Sequence, residues 1–218
     1  MKLNEAQAVA SELVESLRPG CERVEIAGSV RRGKPEPKDI EVVVVAKWQV
    51  IEHRDLLGDV YATDRVNLLD DALEHCMGEY GPWDFDSETP RNGPKYKRLR
   101  HRIRDVCCDL FITTPAAWGT IFTIRTGPGA FSQALVTMAQ RVGGFVDGGR
   151  LHMHKREYKL VNGEWKPQPC KAGDACTQVA TTPDERDFFR VLGVPWLEPH
   201  ERTIEQAAEL LKARKSVA

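Results

Sequence analysis

Residues 39–46 read DIEVVVVA, and this stretch constrains the fold more than any other. Four consecutive valines follow an isoleucine, and β-branched side chains favour an extended strand over a helix. A short apolar run of this kind is typical of a buried strand. Because successive side chains of a strand alternate between its two faces, Asp39 and Glu41 point to the same side at its start.

These two acids predict a metal site where the strand begins, since like charges so close repel one another unless a cation lies between them. Carboxylate oxygens are hard ligands that suit Mg²⁺, an ion that commonly completes its shell with waters and substrate phosphates. The pair therefore favours nucleotide chemistry. For this segment alone, an acid pair at an exposed strand edge is the commoner explanation, and that alternative stays open.

A second segment, GSVRRG at 28–33, lies at the end of the preceding predicted strand. The N–H groups of a Gly-Ser turn and the hydroxyl of Ser29 are suited to binding phosphate oxygens. Arg31 and Arg32 add positive charge that can pair with phosphate. Taken by itself, a Gly-Ser dipeptide more often marks an ordinary turn. Gly28, Ser29 and Arg32 are the candidate phosphate-binding residues of this segment.

The chain as a whole has an α+β pattern. Asn4 and Gln7 resemble a capping box that begins a helix ending before Pro19-Gly20. The pattern predicts strands at 23–28, 39–46, 95–103 and 105–113, with an acidic helical insertion at 65–80. Beyond residue 113 it predicts helices at 115–124, 130–142, 182–192 and after a cap at Thr203, and short strands at 151–155, 156–161 and 163–168. We expect two subdomains, at 1–113 and 114–218.

Composition limits the class of protein. The chain has 218 residues, of which 41% are hydrophobic, enough for one large domain or for two small subdomains that share a continuous core. It contains no apolar run of membrane-spanning length, and its start lacks the apolar segment of a secretory signal. We therefore expect a cytoplasmic protein, in the host cytoplasm if it is viral, with no membrane partner. The six cysteines follow no disulfide framework, so we expect reduced thiols.

The net charge is −1, which argues against binding nucleic acid through bulk electrostatics alone. Positive charge is nevertheless concentrated in KYKRLRHRIR at 95–104, and in an extended chain alternate side chains of this basic stretch share one face. A solvated surface is the commoner reason for such a charge run. The candidate DNA-binding residues in the stretch are Lys95, Lys97, Arg98 and Arg100.

Four motifs occur in order along the chain. They are GSVRRG at 28–33, D-x-E at 39–41, Asp109 in VCCDLFI followed by Thr126-Gly127 in IRTGPGAFSQAL, and ERDFFRVLGVPWLEPHER near the C-terminus. Together they resemble the signature of the family X DNA polymerases, in the polymerase beta branch of the nucleotidyltransferases. The resemblance implies a nucleotidyltransferase palm with a mixed β-sheet, followed by a small α+β thumb. The helix-hairpin-helix and lyase domains of larger members have no room before residue 28, so we expect a minimal palm-and-thumb form.

The resemblance further implies a template-dependent DNA polymerase that adds nucleotides to a primer 3′-hydroxyl, with short-gap repair as its task. Asp39, Glu41 and Asp109 would hold two Mg²⁺ ions, for which Mn²⁺ could substitute. The expected partners are nucleoside triphosphates and gapped or primer-template DNA, bound by a monomer. The nucleotide-binding residues that the resemblance implies are Gly28, Ser29, Arg32, Arg125, Thr126, Gly127 and Ser132.

Two other functions stay open at this point. The first is a small nucleotidyltransferase that modifies tRNA, a small molecule or a protein, because Gly-Ser and paired acids serve all of these enzymes. The thumb-like C-terminal half favours DNA over those substrates. The second is a nucleic-acid-binding protein with a degenerate catalytic site, which the full set of acids disfavours.

The sequence departs from the family pattern at two places. Glu41 stands where the polymerases usually have Asp, and Ile124-Arg125 stand where aromatic residues precede Thr-Gly, so the preference for a deoxy or ribo sugar is not implied. Family members make a cis peptide bond after the glycine. Here Pro128 follows, and the cis form costs only about 0.5–1 kcal/mol before proline. We therefore expect a cis Gly127–Pro128 bond.

One group of potential metal ligands lies outside these motifs. His152 and His154 could be combined with Cys170 and Cys176 into a zinc site, but their spacings match no familiar zinc finger. We therefore expect no metal there. We expect core positions for the five tryptophans, at 48, 83, 118, 165 and 196.

Overall fold

The computed structural model of the protein describes residues 1–213, and the chain divides into two compact units. The first unit comprises Met1–Val30 and Lys34–Thr113. The second unit comprises Arg31–Gly33 and the chain from Thr114 onwards. Within residues 1–213, no helix is both long enough and apolar enough to cross a membrane.

The first unit is built on a five-stranded mixed sheet in the order β1-β2-β7-β6-β5. Strands β2 and β7 are parallel, and the other neighbours are antiparallel. Strands β3 and β4 form a separate antiparallel hairpin. The elements up to residue 113 are α1 (Leu3–Leu17), β1 (Cys21–Ile26), α2 (Gly28–Arg31), β2 (Ile40–Ala46), β3 (Trp48–Arg54), β4 (Val60–Asn67), α3 (Leu68–Met77), β5 (Trp83–Phe85), β6 (Tyr96–His101) and β7 (Cys107–Thr113).

The valine run forms β2, as predicted, and its side chains are buried on both faces of the strand. Val42 and Val44 belong to the same apolar cluster as Val9, Leu13 and Leu17, which lie on the buried face of α1. Complete burial of a side chain of this size contributes about 1.5–3 kcal/mol. The strand that carries Glu41 is therefore held by the core of the unit.

The hairpin of β3 and β4 was not predicted. Most of its side chains are exposed, so its sequence lacks the alternation of a half-buried strand. The helix expected at 65–80 is correspondingly shorter, because residues up to Asn67 belong to β4 and Asn67 caps α3. Trp48 on this hairpin is 46% exposed and Trp165 is 70% exposed, so the expectation of core tryptophans was wrong for both.

The N-terminal helix begins earlier than its predicted cap. Lys2 is the N-cap of α1, and its backbone N–H donates to the Glu5 carboxylate at 3.1 Å. Asn4, predicted to cap the helix, lies inside its first turn. The long apolar face therefore predicted the existence of the helix correctly, whereas the polar residues at its start did not predict its first residue.

Up to residue 213, the second unit combines four α-helices with two small sheets. A three-stranded antiparallel sheet has the order β12-β9-β8, and β10 pairs with β11 in a separate hairpin. An apolar core joins α5, α6 and α7 through side chains such as Leu135, Phe188 and Leu210. The elements are α4 (Trp118–Thr126), α5 (Gly129–Arg141), β8 (Phe145–Asp147), β9 (Arg150–His152), β10 (Tyr158–Val161), β11 (Glu164–Pro167), β12 (Val179–Ala180), α6 (Glu185–Leu192) and α7 (Ile204–Ala213).

A buried carboxylate connects distant parts of the second unit. Glu185, only 4% exposed, accepts hydrogen bonds from Arg31 at 2.6 and 2.9 Å and from Arg202 at 2.7 Å. Burial alone would raise the pKa of Glu185, but the two guanidinium groups outweigh that effect and lower its pKa. The ion pairs therefore attach the Arg31–Gly33 segment to the helices that follow Thr114.

Replacement of Glu185 by Ala should destabilise the second unit by about 3–5 kcal/mol, because it leaves the buried Arg202 and the partly buried Arg31 without their counter-charge. Urea denaturation of the full chain measures the loss. The matched control is Glu164→Ala on the exposed β11 strand, which should change the midpoint little. Equal midpoints for the two variants would contradict the structural role of Glu185.

The same carboxylate predicts a pH dependence. Because the folded-state pKa of Glu185 is lowered, its contribution to stability is fully present above the ordinary glutamate pKa of about 4.3 and is lost as the pH falls through the lower folded-state value. Wild-type chain should lose more stability below pH 4.3 than Glu185→Gln, which has no carboxylate to protonate. Parallel losses in both proteins would contradict this assignment.

Candidate active site

Three carboxylates come together on the sheet of the first unit. Glu41 on β2 and Asp109 on β7 are direct partners across the parallel pair, so their side chains share one face. Asp39 lies immediately before β2, two residues from Glu41. Burial and then the charges of Asp109, Glu41 and Asp39 raise the pKa of the buried Cys108 thiol well above its ordinary value, so all three acids lie near that thiol. The pairing of β2 with β7 places two of the three predicted metal ligands side by side, and Asp39 lies next to them along the chain.

The loop after β1 lies directly against this cluster. Gly28 has φ of +63°, and a Cβ built on it would lie 1.9 Å from Oε2 of Glu41. Only glycine therefore accommodates both the backbone conformation and the close approach of the carboxylate. The N–H of Ala27 also donates to the backbone carbonyl of Glu41 at 2.7 Å. The first residue of the GSVRRG motif thus fixes the position of an acid thirteen positions later in the sequence.

Ser29 follows with a buried hydroxyl. The residue is 9% exposed, and its Oγ has no hydrogen-bond partner in the structure. Buried polar atoms are nearly always paired, so an unpaired hydroxyl requires an explanation such as a ligand. Its position next to Gly28 is compatible with the phosphate-binding role expected from the sequence.

Two side chains on β6 partly compensate the charge of Asp109. The Tyr96 hydroxyl donates to Oδ1 of Asp109 at 2.8 Å, and Nη1 of Arg98 lies 3.3 Å from the same oxygen. Burial and the Asp109 carboxylate raise the pKa of Tyr96, so its hydroxyl stays protonated and able to donate at neutral pH. Sequence reasoning missed Tyr96 and assigned Arg98 to DNA. The antiparallel register of β6 and β7, which sets Arg98 opposite Asp109, is the signal that reveals the contact.

The basic stretch at 95–104 is extensively paired with acids. Arg100 contacts Asp86, Glu88 and Asp105, whereas Lys97 donates to Asn92 at 2.7 Å. Lys95 is exposed immediately before β6. Much of the positive charge that the sequence placed in this stretch is therefore neutralised within the first unit. Contact with DNA stays a prediction for these residues.

The other predicted nucleotide-binding residues belong to the second unit. Thr126 ends α4, and it accepts hydrogen bonds from Arg31 at its hydroxyl and from Arg32 at its backbone carbonyl. Ser132 is buried at the start of α5, and its hydroxyl donates to the Ile124 carbonyl at 2.6 Å. Arg125 and Gly127 flank Thr126 at the end of α4. Ser132 therefore has a structural role in the break between the two helices.

The predicted cis Gly127–Pro128 bond was wrong, because none of the described residues follows a cis peptide bond. Gly127 and Pro128 both adopt extended backbone conformations, with ψ of 153° and 154°. Pro128 is the N-cap of α5. Two extended residues with trans geometry are enough to separate the helices, so the bend needs no isomerisation.

This architecture is similar to that of proteins of known structure. No protein-family model matches the chain. Two crystal structures of Leishmania infantum polymerase beta each align with 93% of the chain. The first is a ternary P/T complex, with a TM-score of 0.61, 17% sequence identity and 76% of its own chain covered. The second is a ternary gap complex, with a TM-score of 0.64, 16% sequence identity and 70% of its own chain covered. The chain has a polymerase beta-like fold. The expected α+β fold class and the structural resemblance are thereby confirmed.

Replacement of Gly28 by Ala should distort the cluster by forcing a methyl group into the space of the Glu41 carboxylate. Gly33→Ala is the matched control, since Gly33 has φ of +72° but no neighbouring atom within 4 Å of the point that a Cβ would occupy. The control should show only backbone strain, about 1–2 kcal/mol. Measured by urea denaturation, Gly28→Ala should lower the free energy of unfolding by more than Gly33→Ala does. Most of this additional loss should disappear when Gly28→Ala is combined with Glu41→Ala. Equal costs would contradict the close contact between Gly28 and Glu41.

Proposed function

We propose that the chain is a nucleotidyltransferase that adds nucleotides to a primer 3′-hydroxyl, as a template-dependent DNA polymerase of the family X type acting on short gaps in DNA. The observation that carries the proposal is the placement of Glu41 and Asp109 as direct partners on adjacent strands, with Asp39 beside them and Gly28 against Glu41. The polymerase beta-like fold supports it, because the two similar structures are a ternary P/T complex and a ternary gap complex of polymerase beta.

The donor set of the cluster fits divalent magnesium. All three acids offer carboxylate oxygens, and no softer ligand is needed to complete such a site, because waters and substrate phosphates normally fill the remaining positions of Mg²⁺. When bound, two such ions would activate the attacking hydroxyl and stabilise charge on the reacting phosphate. Mn²⁺ has similar ligand preferences and should substitute.

The three acids would have different roles in metal binding. Asp39 and Glu41 would hold both ions, while Asp109 would hold the ion beside the 3′-hydroxyl. Tyr96 and Arg98 would keep the Asp109 carboxylate oriented through the contacts they already make.

Phosphate recognition is assigned to the GSVRRG motif. The unpaired hydroxyl of Ser29 would donate to an oxygen of the triphosphate, which would satisfy a buried group that otherwise lacks a partner. Gly28 would allow the ligand to approach the backbone, and Arg32 would offset charge that builds on the departing pyrophosphate. Arg125, Thr126 and Gly127 are the further nucleotide-binding residues that the sequence resemblance implies.

Replacement of Asp109 by Ala should reduce nucleotide addition by more than about 100-fold, the scale on which loss of one preorganised electrostatic contact affects catalysis. The circular dichroism spectrum should stay unchanged. Asp64→Ala is the matched control, because Asp64 lies on the exposed β4 strand. Near-normal activity of Asp109→Ala on every substrate would overturn the proposed site.

The same nucleotide-addition assay identifies the class of substrate. Wild-type chain should extend a primer on gapped or primer-template DNA with Mg²⁺, and extend single-stranded DNA or RNA poorly. Transfer of nucleotides only to tRNA, a small molecule or a protein would replace the polymerase assignment with the alternative nucleotidyltransferase. Absence of any transfer would favour a degenerate binding protein.

DNA affinity should depend weakly on salt, because so much of the basic stretch is paired with acids. Each neutralised phosphate contributes a slope of about 0.9 in a plot of log affinity against log salt. The double variant Lys95→Glu/Lys97→Glu should bind gapped DNA more weakly than the charge-matched double variant Lys166→Glu/Lys212→Glu, which changes exposed lysines on β11 and α7. A slope that implies a dozen contacts, or indifference to the double variant, would place the DNA on another surface.

A further inference from the structure

Four potential metal ligands converge in the second unit, far along the chain from the acid cluster. Side-chain donor atoms of His152, His154, Cys170 and Cys176 all lie within 4.8 Å of one another. The two histidines are separated by one residue and the two cysteines by five, a spacing that matches no familiar zinc finger. The fold nevertheless brings the two pairs together, because the hairpin of β10 and β11 returns the chain to the end of β9.

The distances within the cluster match those of a tetrahedral ion. Nε2 of His154 lies 3.6 Å from Sγ of Cys170 and 3.6 Å from Sγ of Cys176. In a tetrahedral site with Zn–S of about 2.3 Å and Zn–N of about 2.0–2.1 Å, nitrogen and sulfur ligands are separated by about 3.6 Å. One ion could therefore contact all three atoms with little movement of the side chains.

Both imidazoles present a suitable nitrogen. Nδ1 of His154 contacts the carbonyl oxygen of Lys155 at 3.1 Å, which leaves Nε2 directed at the sulfurs. A metal-bound histidine typically uses its second nitrogen in this way. His152 is 2% exposed, and one of its ring nitrogens lies within the group of four donor atoms. Buried polar atoms are nearly always paired, and a metal ion would pair this nitrogen.

The surrounding structure holds the ligands in place. The Phe145 ring stacks on His152 with centroids 4.9 Å apart and meets the edge of His154 at 5.0 Å. The N–H of Cys170 donates to Asp147 at 2.9 Å. Arg150 donates to the backbone carbonyl of Cys176 at 3.2 Å and to the preceding loop. Side chains of β8 and β9 thus position both cysteine-bearing segments.

We propose that His152, His154, Cys170 and Cys176 bind one structural Zn²⁺ ion. Two thiolates and two imidazoles are the ligands of closed, four-coordinate zinc sites, whereas the carboxylates of the first unit suit magnesium. With four protein ligands the ion has no open position, so its role is to stabilise the fold. It would fasten the base of the β10–β11 hairpin, whose side chains are largely exposed and which has little core of its own.

Metal analysis of the untagged full chain, purified without chelators, tests the proposal. We expect about one zinc ion per wild-type chain, and less than a tenth of that in Cys170→Ser/Cys176→Ser. The matched control Cys21→Ser changes a half-buried thiol of the first unit and should keep the full zinc content. Equal zinc in the double variant and the wild type would overturn the assignment.

Two measurements on the wild type test the zinc site even if the double cysteine variant fails to fold. Replacement of zinc by Co²⁺ should produce the intense visible absorption of a tetrahedral thiolate site. Chelation should accelerate tryptic cleavage after Lys159 on the hairpin. Absence of zinc and of Co²⁺ binding, or a Cys170–Cys176 disulfide in freshly purified protein, would refute the proposal. None of these readouts depends on nucleotidyl transfer.

Discussion

The parallel pairing of β2 with β7 is the constraint on which the candidate active site depends. It sets Glu41 beside Asp109, and it does so in a strand whose valines are buried on both faces. A slip of one residue would place Cys108 or Leu110 opposite Glu41 and turn the acids to different faces. The valines hold β2 in the core on both of its faces, and the pairing register with β7 then determines which residue lies opposite Glu41.

Adjacent carboxylates are unfavourable unless something compensates their charge. The first unit compensates part of it with Tyr96 and Arg98, which reach Asp109 from the neighbouring strand β6. The second unit solves a similar problem at Glu185, where a single buried acid lies between two arginines. In the first unit Asp39 and Glu41 add two further carboxylates, whose oxygen atoms are the kind of ligand that Mg²⁺ prefers.

The elements of the fold that could be predicted are those that the hydrophobic pattern of a short segment specifies. The strand at 39–46 and the two helices around Thr126-Gly127 were predicted because apolar periodicity specifies them directly. The hairpin of β3 and β4 was missed because its side chains are exposed on both faces. The contact of Arg98 with Asp109 depends on strand register, and the His–Cys cluster depends on an intervening hairpin. Neither can be deduced from spacing along the chain.

The proposed site can be tested by anomalous diffraction from crystals grown with Mn²⁺ and a non-hydrolysable nucleoside triphosphate. We expect a manganese peak within coordination distance of Glu41 and Asp109, with a triphosphate oxygen close to the Ser29 hydroxyl. A nucleotide bound elsewhere, or one bound at Ser29 without manganese at the carboxylates, would contradict the claim that parallel pairing of β2 and β7 builds a nucleotidyl-transfer site.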